Sequence, residues 1–337
     1  MTISPDGPTR SLTQAFGGAR VLLTGGAGFI AGHLAEALVK NGAEVTLVDR
    51  RTRPHPGSLR RACRHIHALS VGSPSFGKLL AADGPYDYIF HLAARAYAAG
   101  SVVQPYADFT TNLVATVRLL EQLRALGSKT SSLVFASSAA VYGNPAKLPV
   151  EETDPTVPVS PYGVSKLAAE RYVAVYARLY GLPAASLRLF SVYGPGQTKQ
   201  VVYDLLVKLR ASPNHLVVLG DGTQVRDLMY VGDVAQAFMV AAANGRTDGA
   251  VYNVASGVGT STADLAREIV AVQEADAAIS FTGATRPGDP ERWVGSWAAL
   301  GSLGWAPRHS LRDGLDATTH WFNTLRGSSF EKPVEPR

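Results

Sequence analysis

The chain has one cysteine, Cys63, in 337 residues. A lone thiol forms no internal disulfide, which excludes a disulfide-stapled scaffold and suits a reducing compartment. Cys63 sits in an arginine-rich stretch between two strand patterns and reads as an incidental thiol, not a nucleophile. Long apolar runs are also missing. The first 19 residues are polar and mixed, without the apolar core of a secretory signal, and no later run is long enough for a bilayer span. Internal repeats and low-complexity tracts are absent, and no metal site is expected. With 46% hydrophobic residues the chain can bury a large core. The expectation is a cytoplasmic enzyme with no membrane partner.

The most informative stretch is Thr24-Gly25-Gly26-Ala27-Gly28-Phe29-Ile30-Ala31, directly after the apolar run Val21-Leu22-Leu23. A strand runs into a glycine turn, and a helix pattern follows from Phe29 to Val39. Gly25 permits the tight turn, and Gly28 leaves room for a pyrophosphate to approach the backbone. The N–H groups at the helix start, around Phe29 and Ile30, then face the anion. A second strand, Glu44–Val48, ends in Asp49, about 20 residues on, where an acid accepts hydrogen bonds from an adenosine ribose. Strand, turn, helix, strand and acid in this order point to a dinucleotide, and Asp49 points to NAD.

Charge is uneven. Residues 50–67 carry six arginines (Arg50, Arg51, Arg53, Arg60, Arg61, Arg64), three histidines and no acid, so this segment holds +6 of a whole-chain +5. The basic pI is therefore local and is not a nucleic-acid footprint. Arg50 or Arg51 could meet a 2′-phosphate, which keeps NADP as the alternative cofactor, but the Asp49 carboxylate would repel that phosphate.

Strand and helix patterns alternate through the first half. A short apolar piece at Ile66–Val71 is followed by strands expected at Tyr86–His91 and Leu133–Ser137, with helices over Pro105–Leu126 and from about Tyr162. Apolar strands separated by helices indicate a Rossmann-type, doubly wound parallel sheet of the α/β class. The expected organisation is a flexible N-terminus over 1–19 and a dinucleotide-binding domain over 20–190, to which about 228–256 return. A smaller α+β substrate-binding domain covers 191–325, and a disordered tail covers 326–337.

A second constellation is Ser138, Tyr162 and Lys166. Ser138 ends a strand, and Tyr162 and Lys166 lie four apart on one helix face. A phenol is a poor base at neutral pH, but an adjacent ammonium and a cationic nicotinamide favour phenolate. With a serine hydroxyl on the same substrate oxygen, the set suits proton transfer to and from an alcohol or carbonyl during hydride transfer.

These motifs, continued by His91-Leu92-Ala93-Ala94, Asn112, Val141-Tyr142-Gly143, Leu187 to Gly196, Gly220 to Asp227 and Tyr252-Asn253-Val254, run in order over roughly residues 20–322. The chain resembles an extended short-chain dehydrogenase/reductase of the NAD-dependent sugar-nucleotide epimerase/dehydratase family. The resemblance implies Tyr162 as catalytic base, Lys166 on the nicotinamide ribose and Ser138 on the reacting sugar hydroxyl. It implies Leu92, Ala93, Ala94, Asn112 and Arg50 as further cofactor contacts. Ser191, Arg226 and Arg292 are expected at the substrate, the two arginines on its diphosphate. An ion pair of Arg226 with Asp227 or Asp233 is the structural alternative.

The chain departs from the family pattern at several places. Ala31 stands for the third glycine. No acid follows the third strand, where Ser70 or Ser73 could stand in, and Ser191 replaces an asparagine. Ala139-Ala140 occupy the place of the Asp-Glu pair of 4,6-dehydratases and of the glutamate of decarboxylases, and alanines transfer no protons. The resemblance therefore implies oxidation and reduction at C4 without elimination. In a 4-epimerase acting on a UDP-sugar, the 4-keto sugar turns over and the cofactor is regenerated. The alternative is an NADPH-dependent 4-keto-sugar reductase, and a non-catalytic NAD-binding member of the fold is a third reading. Tyr97, Ser101 and the stretch after Gln197 are expected at the sugar. A homodimer is expected through the Pro105–Leu126 and Tyr162–Tyr180 helices.

Overall fold

The computed structural model describes residues 10–51, 63–127, 132–284 and 290–325. Arg53, Arg60 and Arg61 of the basic segment, the expected tail and the first nine residues lie outside the described residues.

Twelve strands follow one another: β1 (Arg20–Thr24), β2 (Glu44–Asp49), β3 (His65–Ala68), β4 (Tyr88–His91), β5 (Ser132–Ser138), β6 (Ala184–Leu189), β7 (Ser191–Tyr193), β8 (His215–Val218), β9 (Val225–Tyr230), β10 (Asp248–Val254), β11 (Gly259–Ser261) and β12 (Ala278–Phe281). Seven form one sheet in the order β3-β2-β1-β4-β5-β6-β10, with every neighbour parallel. The chain winds outward from β1 in both directions, so strand order reverses between β1 and β4. Crevices at such a reversal bind ligands in open α/β sheets.

Side chains of the central strands alternate between two apolar layers. Leu23, Phe90 and Val134 face the Phe29–Lys40 and Val231–Asn244 helices. Leu22, Ile89 and Leu133 face the Pro74–Asp83, Ala115–Ala125 and Pro161–Tyr180 helices. Burial on both faces explains why these strands read as continuous apolar runs. After β6 the chain steps into β7, which pairs with β9, and β9 pairs with β11. β8 and β12 form a separate pair. The Gln200–Ala211, Thr262–Val272 and Leu311–Thr324 helices close a third apolar cluster around Tyr203, Leu216 and Phe322.

Four boundaries differ from expectation. Residues 10–19 of the N-terminal stretch are structured. Ser11 and Gln14 form a capping box on the Leu12–Phe16 helix, and fully buried Phe16 packs 4.8 Å from Tyr88. β3 covers His65–Ala68 and so takes in only the first part of the apolar piece Ile66–Val71. β4 starts at Tyr88. The return to the large sheet begins with the Val231–Asn244 helix and not at 228, since β9 belongs to the small sheet. Among the described residues no helix is long and apolar enough to cross a membrane, and no group of three metal-ligating side chains converges.

Candidate active site

The expected cofactor residues meet at the β1/β4 reversal. Gly25 has φ 74°, and a Cβ there would lie 2.7 Å from the Ala93 nitrogen and 2.9 Å from the Leu92 carbonyl carbon. Glycine is therefore required both by the turn and by the approach of the segment after β4. Gly28 caps the Phe29–Lys40 helix without a side-chain hydrogen bond. Its first N–H groups, those of Phe29 and Ile30, have no intrahelical acceptor and suit a phosphate. Leu92 and Ala93 are anchored to β1, their N–H groups reaching the Thr24 carbonyl at 3.2 Å and the Thr24 hydroxyl at 3.4 Å, and Ala94 follows them.

Asp49 turns its carboxylate to the same loop. Oδ2 accepts from the Ala27 N–H at 3.2 Å and Oδ1 from the Arg51 N–H at 3.0 Å. Arg50 and Arg51 are exposed beside it. Of the two serines considered as substitutes after β3, Ser73 is spent as the N-cap of the Pro74–Asp83 helix.

Asn112 lies in a π-helical turn, Thr110–Val114, inside the expected Pro105–Leu126 helix. The wide turn buries Asn112, whose side chain clamps Arg95 by accepting from its N–H at 2.7 Å. Such turns mark functional sites in many helices. His91 joins this frame, with Nδ1 2.7 Å from the Thr24 hydroxyl and Nε2 3.0 Å from the Thr116 hydroxyl. Thr116 donates its own proton to the Asn112 carbonyl at 2.6 Å, so Nε2 of His91 is the donor to Thr116. Burial, reinforced by the Lys166 charge, pulls the His91 pKa down to about 3.

Ser138, Tyr162 and Lys166 converge as expected. Ser138 ends β5 and caps the short turn Ala139–Val141 through its Ala140 N–H, at 3.1 Å. Ser160 caps the Pro161–Tyr180 helix and Pro161 opens it, which places Tyr162 in the first turn. A Cβ on Gly163 would sit 2.5 Å from the Ala140 carbonyl, so glycine lets the helix press against the Ser138 turn. The Tyr162 N–H donates to Ser101 Oγ at 3.0 Å, and Ser101 donates to the Ala98 carbonyl at 2.6 Å. Ser101, expected at the sugar, is buried and holds the start of this helix. Tyr97 is exposed.

Burial pushes the Tyr162 phenol up to about 12, against the pull of hydrogen bonding with Ser138 and with the Asp108 charge adding to the rise. In the chain by itself burial is the largest effect on the phenol and outweighs the expected depression. The Lys166 ammonium is 6.0 Å from the phenol ring centroid, and its hydrogen bond goes to the Ala136 carbonyl at 2.7 Å. Burial pulls Lys166 down to about 8.

The residues expected at the substrate lie on or beside the small sheet. Ser191 opens β7. Arg292 bridges to Val225, which brings it beside Arg226 in β9. Arg226 donates from Nη1 to the carbonyls of Val225 (3.0 Å) and Glu291 (3.2 Å) and lies over the Trp293 ring. The acids considered as partners for Arg226 are engaged elsewhere. Asp227 accepts from Ser256, Gly257 and Gly295, and Asp233 from Arg308 and His309. Trp293 donates to the Gly143 carbonyl at 2.9 Å, tying this segment to the loop beyond Ser138.

Sequence reasoning missed two features. One is the buried pair Arg188–Glu170. The other is Asp108, 1% exposed, whose place four residues before Asn112 on an otherwise apolar turn was its only signal.

The chain matches the model of the NAD dependent epimerase/dehydratase family over residues 21–255. A putative UDP-glucose 4-epimerase of Methanocaldococcus jannaschii is 32% identical, over 89% of this chain and 97% of its own length. A dTDP-D-glucose 4,6-dehydratase of Mus musculus is 28% identical, over 94% and 93%. The crystal structure of a UDP-glucose 4-epimerase with UDP-glucose from Thermotoga maritima superposes with a TM-score of 0.83 at 32% identity, covering 90% of this chain and 98% of that one.

Proposed function

The chain belongs to the NAD-dependent epimerase/dehydratase family, and from that premise we propose that it interconverts the C4 epimers of a nucleoside-diphosphate sugar, with UDP as the nucleotide. The observation that carries this reading is the turn after Ser138. There Ala139 and Ala140, 0% and 6% exposed, follow Ser138 directly, and the Ala140 N–H donates to the Ser138 hydroxyl. A site that removed water would need an acid and a base in addition to the tyrosine. This turn supplies neither, which favours epimerisation over dehydration.

The residues fit NAD. The Gly25 turn leaves a side-chain-free cradle against Leu92 and Ala93, the Phe29–Lys40 helix presents free N–H groups, and Asp49 is aimed at the loop as a ribose acceptor. NAD, when bound there, supplies a reversible hydride acceptor. Tyr162, as phenolate, takes the proton of the sugar C4 hydroxyl at its phenolic oxygen and later returns it. Ser138 holds the same sugar oxygen. Lys166 holds the nicotinamide ribose, and its positive charge favours the phenolate. Arg226 and Arg292 hold the diphosphate, with Ser191 at the sugar side. The Asp49 carboxylate, already facing Ala27, disfavours a 2′-phosphate and so the NADPH-dependent reductase. We further read the chain as a homodimer through the exposed apolar face of the Pro161–Tyr180 helix together with exposed Tyr106 and Phe109 of the Pro105–Phe109 helix.

The test is direct. Purified protein is incubated with UDP-glucose, UDP-galactose, UDP-N-acetylglucosamine and UDP-glucuronate without added cofactor, and products are followed by proton NMR. A C4 epimer is expected from one of them. Tyr162→Phe should lower its rate by about 10²–10⁴-fold while NAD remains bound. Unchanged turnover in that variant, or a water-elimination product from the parent, overturns the reading.

A further inference from the structure

The indole of Trp293 touches two parts of the site at once. Over its face lies the Arg226 guanidinium, 5.6 Å from the ring centroid. At its edge Nε1 donates to the Gly143 carbonyl at 2.9 Å. The backbone that carries it is held to β9. There the Trp293 N–H donates to the Val225 carbonyl at 3.0 Å, and the Val225 N–H to the Glu291 carbonyl at 3.0 Å. The Glu291 N–H donates to Asn144 Oδ1 at 3.1 Å, a second tie to the loop beyond Ser138.

Gly143 is itself a junction. It follows Tyr142, which closes the Ala139–Val141 turn that Ser138 opens. Its φ is 62°, and a Cβ there would collide with the Val157 carbonyl, so the turn and the contact both require glycine. Val157 lies three residues before Ser160, the cap of the helix that carries Tyr162. A movement of Gly143 therefore reaches both Ser138 and Tyr162.

We propose that Trp293 is a positioning residue that ties the substrate's diphosphate to the catalytic turn. With its ring on Arg226 and its N–H on Gly143, it sets Ser138 and Tyr162 against the sugar when the diphosphate is bound. The proposal rests on the roles given above to Arg226, Ser138 and Tyr162. Binding energy from the nucleotide, remote from the reacting carbon, is then used to place the C4 hydroxyl.

The two contacts of the indole are separable. Trp293→Phe keeps a ring face toward Arg226 and removes the donor to Gly143. Calorimetric titration with UDP alone should give an affinity within about twofold of the parent. On the UDP-sugar that the parent epimerises, kcat should fall about 10- to 100-fold with KM nearly unchanged. Trp293→Leu removes both contacts, and its UDP affinity should fall about 2- to 5-fold as well. A residue that only packs would lower thermal stability without this split. Unchanged kcat in folded Trp293→Phe, or a loss of UDP affinity that matches the loss of kcat, overturns the proposal.

Hydrogen exchange read by mass spectrometry needs no turnover. Saturating UDP should slow exchange over residues 139–144 in the parent and leave it unslowed in Trp293→Phe. Equal slowing in both proteins overturns the proposal. So does a parent in which UDP slows nothing there, and that measurement decides if the variant does not fold. A parent that binds no UDP sinks the diphosphate reading and the proposal with it. Slowing that depends on Trp293, in a protein inactive on every nucleotide sugar, would sink the epimerase reading alone. An active enzyme whose Trp293→Phe variant behaves as the parent would sink the role of Trp293 alone.

Discussion

The Arg188 guanidinium of β6 meets the Glu170 carboxylate of the Pro161–Tyr180 helix through two hydrogen bonds, Nε to Oε2 at 3.0 Å and Nη2 to Oε1 at 2.7 Å. The two side chains are 2% and 1% exposed. Arg188 also donates to the Tyr142 hydroxyl at 2.7 Å and the Glu152 carbonyl at 3.0 Å, and Tyr142 donates to Asn253 at 2.7 Å. Ser137 donates to Glu170 at 2.8 Å. Glu170 is one turn beyond Lys166, so this pair pins the helix that carries Tyr162 and Lys166 to the sheet that carries Ser138. Glu170→Gln leaves a buried guanidinium without its counter-charge and is expected to destabilise the fold by about 3–5 kcal/mol in urea unfolding. A loss below about 1 kcal/mol would show that the pair is dispensable.

That network marks the limit of what sequence patterning shows. The glycine turn, Asp49 and the Tyr162/Lys166 spacing are local signals, each carried within a few residues, and all appear where expected. Arg188, Tyr142 and Asn253 also stood out as motif members, but their joint role depends on β5, β6 and β10 lying side by side. Strand order is a tertiary property that no periodicity encodes. Asp108 was missed because a single acid on a helix usually faces solvent. Only the packing of the Pro105–Phe109 helix against the Pro161–Tyr180 helix puts it inside. Ser101, expected at the sugar, accepts from the Tyr162 N–H and donates to the Ala98 carbonyl, a backbone role that no local pattern encodes.

The Asp49 carboxylate faces the Ala27 N–H across the glycine loop. An adenosine ribose held at this carboxylate gains hydrogen bonds to a charged acceptor, worth about 1.5–3 kcal/mol. Asp49→Asn should therefore weaken NAD binding by roughly 10- to 100-fold. NADP should be affected far less, because it gains from removal of a negative charge. Calorimetric titration of both cofactors measures this. Equal losses for NAD and NADP would count against Asp49 as the discriminating residue.

His91 makes stability depend on pH. Its folded pKa is depressed, to about 3, by burial and the nearby Lys166 charge, while an unfolded histidine titrates near 6.5. Between these values the unfolded chain binds the extra proton. The contribution is therefore complete above about 6.5 and is lost progressively as pH falls toward 3. His91→Gln removes this proton. The variant is expected to be less stable at pH 7, having lost the shape that bridges Thr24 and Thr116, but its stability should fall less steeply between pH 6.5 and 4.5. The slopes should differ by about 1.4 kcal/mol per pH unit, one proton's worth. Parallel slopes would mean that His91 titrates normally in the folded state.

The Pro161–Tyr180 helix has two faces with different fates. Tyr162 and Lys166 point into the site. Val164, Tyr172, Val175 and Leu179, spaced so that they fall on one stripe on the opposite side, are 53%, 44%, 46% and 70% exposed. Beside them Tyr106 is 79% exposed and stacks with Phe109. An apolar stripe on a helix normally meets a partner. A second copy related by a two-fold axis would present the same stripe and bury both. Leu179→Asp places a charge in that contact without touching the Tyr162 face. Sedimentation at micromolar concentration should give a dimer for the parent and a monomer for the variant, whose NAD binding should be unchanged. A parent that sediments as a monomer, or a variant that stays dimeric, would place the contact elsewhere.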